Sequence, residues 1–543
     1  MNRATIRTFR HAAVLITTVV LPACGGAMKA YPSAPGSPPM AEPASYALSA
    51  SGAEMAAEET GVQAEFNTEQ YAEVSDNPFL DSSSNPLSTF SIDVDTASYS
   101  NVRRFLTDGS LPPRGAVRIE ELVNYFSYDY EQPVGDVPFS VSTEVAACPW
   151  KPGHQLMRIG LQGKALPPGA MPPRNLVFLF DVSGSMNEPR KLPLLKGAFR
   201  MLVDQLGAQD TVAVVVYAGA SGMVLPPTSG ANKARILEAL QSLEAGGSTN
   251  GGEGIALAYR TARAQFRKGG VNRVILATDG DFNVGVTSHD DLVQLIERER
   301  QSGVFLSVLG FGTGNVKDST MEMLADKGNG NYAYIDTLAE ARKVLVEQAG
   351  ATLVTIAKDV KIQVEFNPRF VQSYRLIGYE NRMLRAEDFH DDRKDAGEIG
   401  AGHSVTALYE LVPHGVSSPA GNVDPLRYQG TAPSAPASTD ELLTIKLRYK
   451  APDAQDSQLL SSVVRTNDVK PEPTGEFAFA SSVAAFGMIL RRSEHKGDAS
   501  YALVRQLAAR GVGQDGQGYR REFLGLVDKA AGLDGGGSVE VAR

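Results

Sequence analysis

The sequence predicts an α/β fold in which a doubly wound parallel sheet is inserted into a flanking β-sandwich, with helical segments at the N-terminal and C-terminal ends. Three observations lead there. Unbroken apolar runs alternate with amphipathic helices through the middle of the chain, as buried parallel strands and their crossover helices do. Runs of period-two alternation stand on both sides of that segment, as expected of antiparallel strands with one wet face. The C-terminal stretch then carries helical periodicity instead.

The central segment is placed at residues 174–350. Its strand-like runs are 176–180 (Leu-Val-Phe-Leu-Phe), 211–217 (Thr-Val-Ala-Val-Val-Val-Tyr), 274–277 (Val-Ile-Leu-Ala) and 304–309. Amphipathic helices are read at 192–206, 233–243, 254–266, 292–300 and 338–348. The alternating runs lie at 139–145 and 155–161 before it, and at 360–366, 404–411 and 442–449 after it. These are assigned to one sandwich in two parts, 136–173 and 351–470, because a domain with neighbouring termini is readily inserted into another. Residues 77–135 contain two helical runs, around Val102 and Leu122, and 471–543 contain three, at 476–490, 501–509 and 519–531.

At the chain start, Arg3, Arg7 and Arg10 precede an apolar stretch too short to span a bilayer, so residues 1–23 read as a signal peptide. The following Leu21-Pro22-Ala23-Cys24-Gly25 resembles the lipobox of bacterial lipoproteins. That resemblance implies lipidation of Cys24 and, with Gly25 next, an outer-membrane destination facing the periplasm or the surface; cleavage near Ala23 and plain secretion is the alternative. Residues 24–76 are rich in Ala, Pro and Ser, bury too little apolar surface to order themselves, and are expected to form a tether. Loss of the leader's three arginines takes the formal charge from −10 to about −13, which argues against nucleic acid as a partner.

The densest chemistry lies at strand ends. Asp181-Val182-Ser183-Gly184-Ser185 follows the run 176–180, and Thr278-Asp279-Gly280 follows the run 274–277. Open α/β sheets bind ligands at the carboxyl ends of their strands. One carboxylate and two hydroxyls around a tight glycine loop form a hard oxygen site suited to a cation such as Mg²⁺; a polar turn capping a helix is the alternative for this segment alone. Between the two lies Gly246-Gly247-Ser248-Thr249-Asn250-Gly251-Gly252, which opens a helix and offers the Thr249 hydroxyl. The succession D-x-S-x-S, G-G-x-T, T-D-G resembles the metal-ion-dependent adhesion site of von Willebrand factor type A domains. By that resemblance Asp181, Ser183 and Ser185, then Thr249, then Asp279 hold Mg²⁺, or Mn²⁺ or Ca²⁺, some of them through water. From Asn77 onward the chain further resembles bacterial von Willebrand factor type A lipoproteins with an N-terminal extension and a C-terminal region of unknown function, on the run 91–99, the adhesion-site triad and the run 395–403.

Other chemistries find little support. Histidines are scattered and no H-E-x-x-H or C-x-x-C occurs, so zinc catalysis is not expected. Cys148 has no partner once Cys24 is lipidated and reads as a small packed residue. Gly310-Phe311-Gly312-Thr313-Gly314 imitates a dinucleotide fingerprint, but the glycine spacing fails, and the loop at Gly246 lacks G-K-[ST], so no nucleotide is expected. Asp93 and Asp95 suggest a second cation site, which an acidic first turn of a helix explains more simply. The charge run 387–395 lacks calcium-loop spacing and reads as a solvated connection.

The resemblance implies a protein-binding module of the cell envelope rather than an enzyme: an acidic residue of a partner completes the coordination of the cation. The alternatives are a metal-assisted hydrolase, with Asp279 or Glu253 activating water, and a scaffold in which the metal only locks loops. Ser183 and Ser185 do not lie in G-x-S-x-G, and no histidine stands near them in sequence.

Overall fold

The central sheet runs Tyr332–Ile335, Phe305–Phe311, Val271–Thr278, Arg174–Asp181, Thr211–Tyr217, Ser221–Ser229 in spatial order. A computed structural model describes residues 68–535, apart from 168, 220, 248–250, 281–288 and 421–439. The expected signal peptide, Cys24, most of the tether and Thr249 therefore lie outside the described residues.

Neighbouring strands of this sheet are parallel except for the last pair, Thr211–Tyr217 with Ser221–Ser229, which is antiparallel. The antiparallel edge strand is not among the strand-like runs read from the sequence, and it contains Pro226 and Pro227. Proline lacks a ladder donor and is tolerated only where one side of a strand is unpaired, which is where this strand sits. Arg174–Asp181 is buried along its whole length between two neighbours, as its unbroken apolar run demands. Apolar faces of helices Leu192–Asp204 and Lys233–Gln241 cover one side of the sheet through Leu195, Phe199, Leu202 and Ile236. Helices Gly251–Ala264, His289–Arg300 and Asp318–Lys327 cover the other through Ile255, Tyr259, Ile296 and Met321.

Two further sheets face each other around one core that includes Phe90, Val145, Met157, Ile159, Val364, Tyr409 and Ile445. One contains Phe139–Ala147 and Gln155–Gly163 from before the central domain, joined to Ser404–Pro413 and Val371–Ile377 from after it. Strand Gln155–Gly163 pairs with Ser404–Pro413 over eight residues, from Ser404 opposite Gln162 to Leu411 opposite Gln155. The other sheet joins Leu87–Ser91, Thr355–Phe366, Glu441–Lys450 and Ser457–Arg465. The domain of parallel strands is thus inserted in a sandwich closed by strands from both flanks. Leu87–Ser91 is a correction: residues 77–135 were read as a helical region, yet this run forms a strand paired with Thr355–Phe366.

The helical segments also combine. Helices Ala97–Thr107 and Ile119–Asn124 share a core with Gly475–Arg491, Tyr501–Arg510 and Tyr519–Gly535. Phe126 lies edge-on to Phe479 and Phe523 at ring-centroid distances of 4.9 and 5.7 Å, and Phe486 meets Phe523 at 5.4 Å. Each such buried ring contributes about 1.5–3 kcal/mol by leaving water. Neither terminal segment could bury these rings alone, so the two form one module. Cys148 is buried in the same core, where burial raises its thiol pKa well above the ordinary range.

Residues 68–70, assigned above to the tether, are instead bonded to the central domain. The amides of Thr68 and Gln70 donate to the carbonyls of Gly314 and Val316 at 2.7 and 2.9 Å, and Glu69 accepts from the Gly314 amide at 2.8 Å and from Arg104 at 3.0 Å. The charge run 387–395 is less open than expected: Asp388 is buried, Asp392 pairs with Arg448 at 3.1 Å, and Asp395 reaches Arg300 of the central domain at 2.5 Å. Among the described residues no helix is long and apolar enough to cross a membrane.

Candidate metal centre

Strand geometry sets the site. Arg174–Asp181 and Val271–Thr278 are parallel neighbours in register, with Phe180 opposite Ala277, so Asp181 and Asp279 emerge at the same sheet edge. On the other side Asp181 is opposite Tyr217, the last residue of its strand. The Asp181 carboxylate is held by three donors. The Ser183 amide donates to Oδ1 at 2.9 Å, while the hydroxyls of Tyr217 and Thr278 each donate to Oδ2 at 3.1 Å.

These bonds fix the carboxylate's orientation without occupying every lone pair, since two carboxylate oxygens offer about four acceptor positions. The Ser183 and Ser185 hydroxyl oxygens lie 3.0 Å apart, close enough to face one cation together. Asp181 and Asp279 have no exposed surface and Ser183 is buried, whereas Gly184 and Ser185 are exposed. The site therefore has a buried acidic floor and a hydroxyl at its lip.

The glycine loop that precedes Thr249 is attached to the same place. The Gly246 amide donates to the Val182 carbonyl at 2.8 Å, and the Gly184 amide to the Gly247 carbonyl at 3.1 Å. Gly247 has φ +82°, and a Cβ there would stand 3.1 Å from the Gly219 amide, so glycine is required on both counts. The residues just before Thr249 are thereby brought to the Asp181 loop; the Thr249 side chain itself lies outside the described residues.

Electrostatics match a cation site. Burial pushes the Asp181 carboxyl up to about 6; its bonds with Ser183 oppose the rise and the Asp279 carboxylate adds to it. Two carboxylates gathered in a dry pocket are costly unless a positive charge joins them. The donors are all oxygens, as hard divalent cations require. Part of the positive charge comes from the chain: the Lys191 ammonium lies 3.3 Å from Asp279 Oδ2. Tyr217 and Thr278 could have been recognised from their strand-end positions. Nothing local in the sequence marks Lys191, which immediately precedes helix Leu192–Asp204.

Glu253 stands in the first turn of helix Gly251–Ala264 and is exposed, with the Ser221 hydroxyl 3.5 Å away. No histidine hydrogen-bonds to Asp181, Ser183 or Ser185 among the described residues.

A second group of acids lies elsewhere. Carboxylate oxygens of Asp93, Glu121 and Glu322 fall within 4.8 Å of one another, all buried. Two guanidinium groups already stand among them. Arg382 reaches Asp93 at 3.3 Å, Asp95 at 3.5 Å, Glu322 at 3.5 Å and Asp326 at 2.7 Å. Arg118 pairs with Glu322, and with Glu121 and Asp318 at 3.5 and 3.6 Å. The group is an ion-pair seam joining the N-terminal extension to helix Asp318–Lys327. Asp93 and Asp95 do not form the acidic first turn expected of them: helix Ala97–Thr107 has no acid in its first turn, and Asp95 accepts instead from the Tyr332 amide at 2.8 Å.

Comparison with known proteins agrees with this architecture. Residues 175–348 match the von Willebrand factor type A domain, 65–158 a model described as von Willebrand factor, and 351–533 the C-terminal region of the uncharacterized protein YfbK. The chain is 45% identical over 476 residues to YfbK of Escherichia coli K12, covering 86% of this chain and 82% of that protein. It is also 31% identical over 164 residues to human inter-alpha-trypsin inhibitor heavy chain H4, covering 28% of this chain and 17% of that one. Among solved structures, a von Willebrand factor type A protein from Catenulispora acidiphila aligns over 73% of this chain and 91% of its own, with 17% identity and a TM-score of 0.40. Proximal thread matrix protein 1 of the mussel byssus, described with a zinc-occupied MIDAS motif, aligns over 33% of this chain and 45% of its own, with 25% identity and a TM-score of 0.27. With three family models along its length and a relative matched nearly end to end, this chain belongs to the YfbK family, in which a von Willebrand factor type A domain is joined to the YfbK C-terminal region.

Proposed function

We propose that the chain is a metal-dependent protein-binding module of the bacterial cell envelope, with the cation held by Asp181, Ser183 and Ser185 and supported by Thr249 and Asp279. The observation that carries this reading is the graded burial of the site: two enclosed carboxylates below and the exposed Ser185 hydroxyl above. Bound there, Mg²⁺ supplies a positive centre that keeps some of its six positions for water or an outside oxygen ligand. Asp181 is oriented in advance by Tyr217, Thr278 and the Ser183 amide, so little ordering remains to be done on binding. Ser185 stands where an acidic side chain of a partner would arrive. The naming of a MIDAS motif in the mussel protein supports a metal of this kind, although zinc is the ion named there. A lipidated Cys24 and the tether would hold the module at the outer membrane, an assignment that rests on the leader sequence alone.

The test is affinity capture from envelope extract. Asp181→Ala and chelation should each abolish recovery of the partner while the far-ultraviolet circular dichroism stays unchanged. Equal recovery by the native protein, the variant and the chelated protein would overturn the reading. Calorimetric Mg²⁺ titration of the same variant should show binding weakened by about 100-fold or more, the upper end of what disturbing a metal ligand's surroundings costs.

A further inference from the structure

Lys191 is 2% exposed, and its ammonium is surrounded by oxygens. Glu188 Oε1 lies at 3.0 Å, Asp279 Oδ2 at 3.3 Å and Asn315 Oδ1 at 3.3 Å. The Asn315 contact is a hydrogen bond, and the two carboxylates are ion-pair partners of the ammonium. Lysine is rarely enclosed to this degree unless it is paired. The stem of the side chain runs beneath Gly312, where a Cβ would come within 2.4 Å of both Cγ and Cε of Lys191. Gly312 also has φ +82°, so its neighbourhood is built for glycine in two ways. The run 310–314, which only imitates a nucleotide fingerprint, thus has a concrete role in this fold: it leaves a channel for Lys191. The loop that carries Asn315 is in turn bracketed by the bonds from Thr68 and Gln70 to Gly314 and Val316. These contacts hold a positive charge at the carboxylate floor of the candidate metal centre.

We propose that Lys191 is a tethered cation of this centre, a positioning residue that neutralises Asp279 when no metal is bound and weakens the site's hold on a divalent ion. The inference rests on the assignment of Asp181 and Asp279 to a metal site. Asp181, Asp279 and Glu188 with one ammonium present a smaller negative charge than the three acids alone, and an entering divalent cation is repelled by the ammonium it meets beside Asp279. Removing the ammonium therefore strengthens metal binding. It also leaves Asp279 without one of its partners in the metal-free fold, so the apo protein becomes less stable and gains more from added metal.

The test uses the purified chain stripped with a chelator, titrated calorimetrically with Mg²⁺ and Mn²⁺, with melting temperatures recorded with and without each ion. Lys191→Met and Lys191→Gln should bind Mg²⁺ at least about tenfold more tightly than the native chain, given the strength of a close charge pair away from bulk water. Both should melt lower than the native chain without metal and show a larger rise on adding it. Lys191→Arg, which keeps the charge, should stay near the native affinity. Should the methionine variant fail to fold, the glutamine variant decides, because it is one bond shorter than lysine but keeps a polar end with N–H donors. Native-like affinity in the neutral variants, with binding abolished by Asp181→Ala, overturns the role of Lys191 and leaves the metal site standing. Absence of ion binding by the native chain and by both neutral variants overturns the role of Lys191 and the metal site together.

Discussion

The strand-end site and the seam beside helix Asp318–Lys327 both bury carboxylates, yet the residues that accompany those carboxylates differ. At the strand ends Asp181 and Asp279 are accompanied by hydroxyls, one of them exposed, and by a single lysine. In the seam Asp93, Asp95, Glu121, Asp318, Glu322 and Asp326 enclose Arg118 and Arg382. Planar guanidinium groups bridge several carboxylates at fixed angles and lose their charge at no accessible pH, which suits a permanent joint. Hydroxyl oxygens keep lone pairs for a further partner, as the proposed cation site requires. Acid clustering alone does not identify a metal site; the accompanying residues decide.

Three experiments sharpen the contrast. The largest effect is expected from Arg382→Ala, which leaves carboxylates buried without their counter-charge and should destabilise the fold by about 3–5 kcal/mol. Denaturant unfolding measures this, and a loss below about 1 kcal/mol would show that the seam is not a joint. Ion affinity at the strand ends should be unchanged in whatever fraction remains folded.

The second effect concerns pH. Burial, aided by Glu380 and Asp93, raises the Glu120 carboxyl to about 7, and burial likewise raises Asp318 and Asp326 to about 6. A carboxyl whose pKa is higher in the folded state gives stability that is complete below its unfolded value and disappears as pH rises through its folded value. For Glu120 that window runs from 4.5 to about 7, so melting temperature in chelator should fall across it. Glu120→Gln has no proton to lose and should flatten this fall. An unchanged slope in the variant would remove Glu120 as its cause.

The smallest change in stability should come from Ser185→Ala, an exposed position where substitution usually shifts stability by about 0.5 kcal/mol or less. Its Mg²⁺ affinity should nevertheless fall, by about tenfold as an order of magnitude for a perturbed metal shell. Calorimetry and thermal melts on one sample separate the two quantities. Equal affinity in this variant would mean that the lip hydroxyl takes no part in the site.

Much of the architecture could be read from local pattern. The run 176–180 reads as a strand buried on both faces and is one, whereas the alternating runs 155–161 and 404–411, read with one wet face each, are buried along nearly their whole length because the terminal helical module covers their second face at Leu156 and Leu408. Asp181, Ser183 and Asp279 follow such strands directly, so their shared edge followed from parallel pairing. Leu87–Ser91 and Ser221–Ser229 escaped, because a five-residue run without alternation and one containing two prolines become strands only when a neighbour supplies the ladder. Asp93 and Asp95 were misread for a related reason: their partner Arg382 is nearly three hundred residues away in the chain.

The sequence by itself determined the order of elements, the inserted central domain and the oxygen-bearing strand ends, because periodicity and strand-end position are local properties. Only the tertiary structure decided that the two terminal helical segments share one core, that Arg118 and Arg382 claim the second acid cluster, and that Lys191 passes beneath Gly312 to Asp279. Those outcomes depend on which distant residues meet once strands from both flanks close the sandwich. Close packing and charge pairing at a few ångströms set them, and no short stretch of sequence contains both partners.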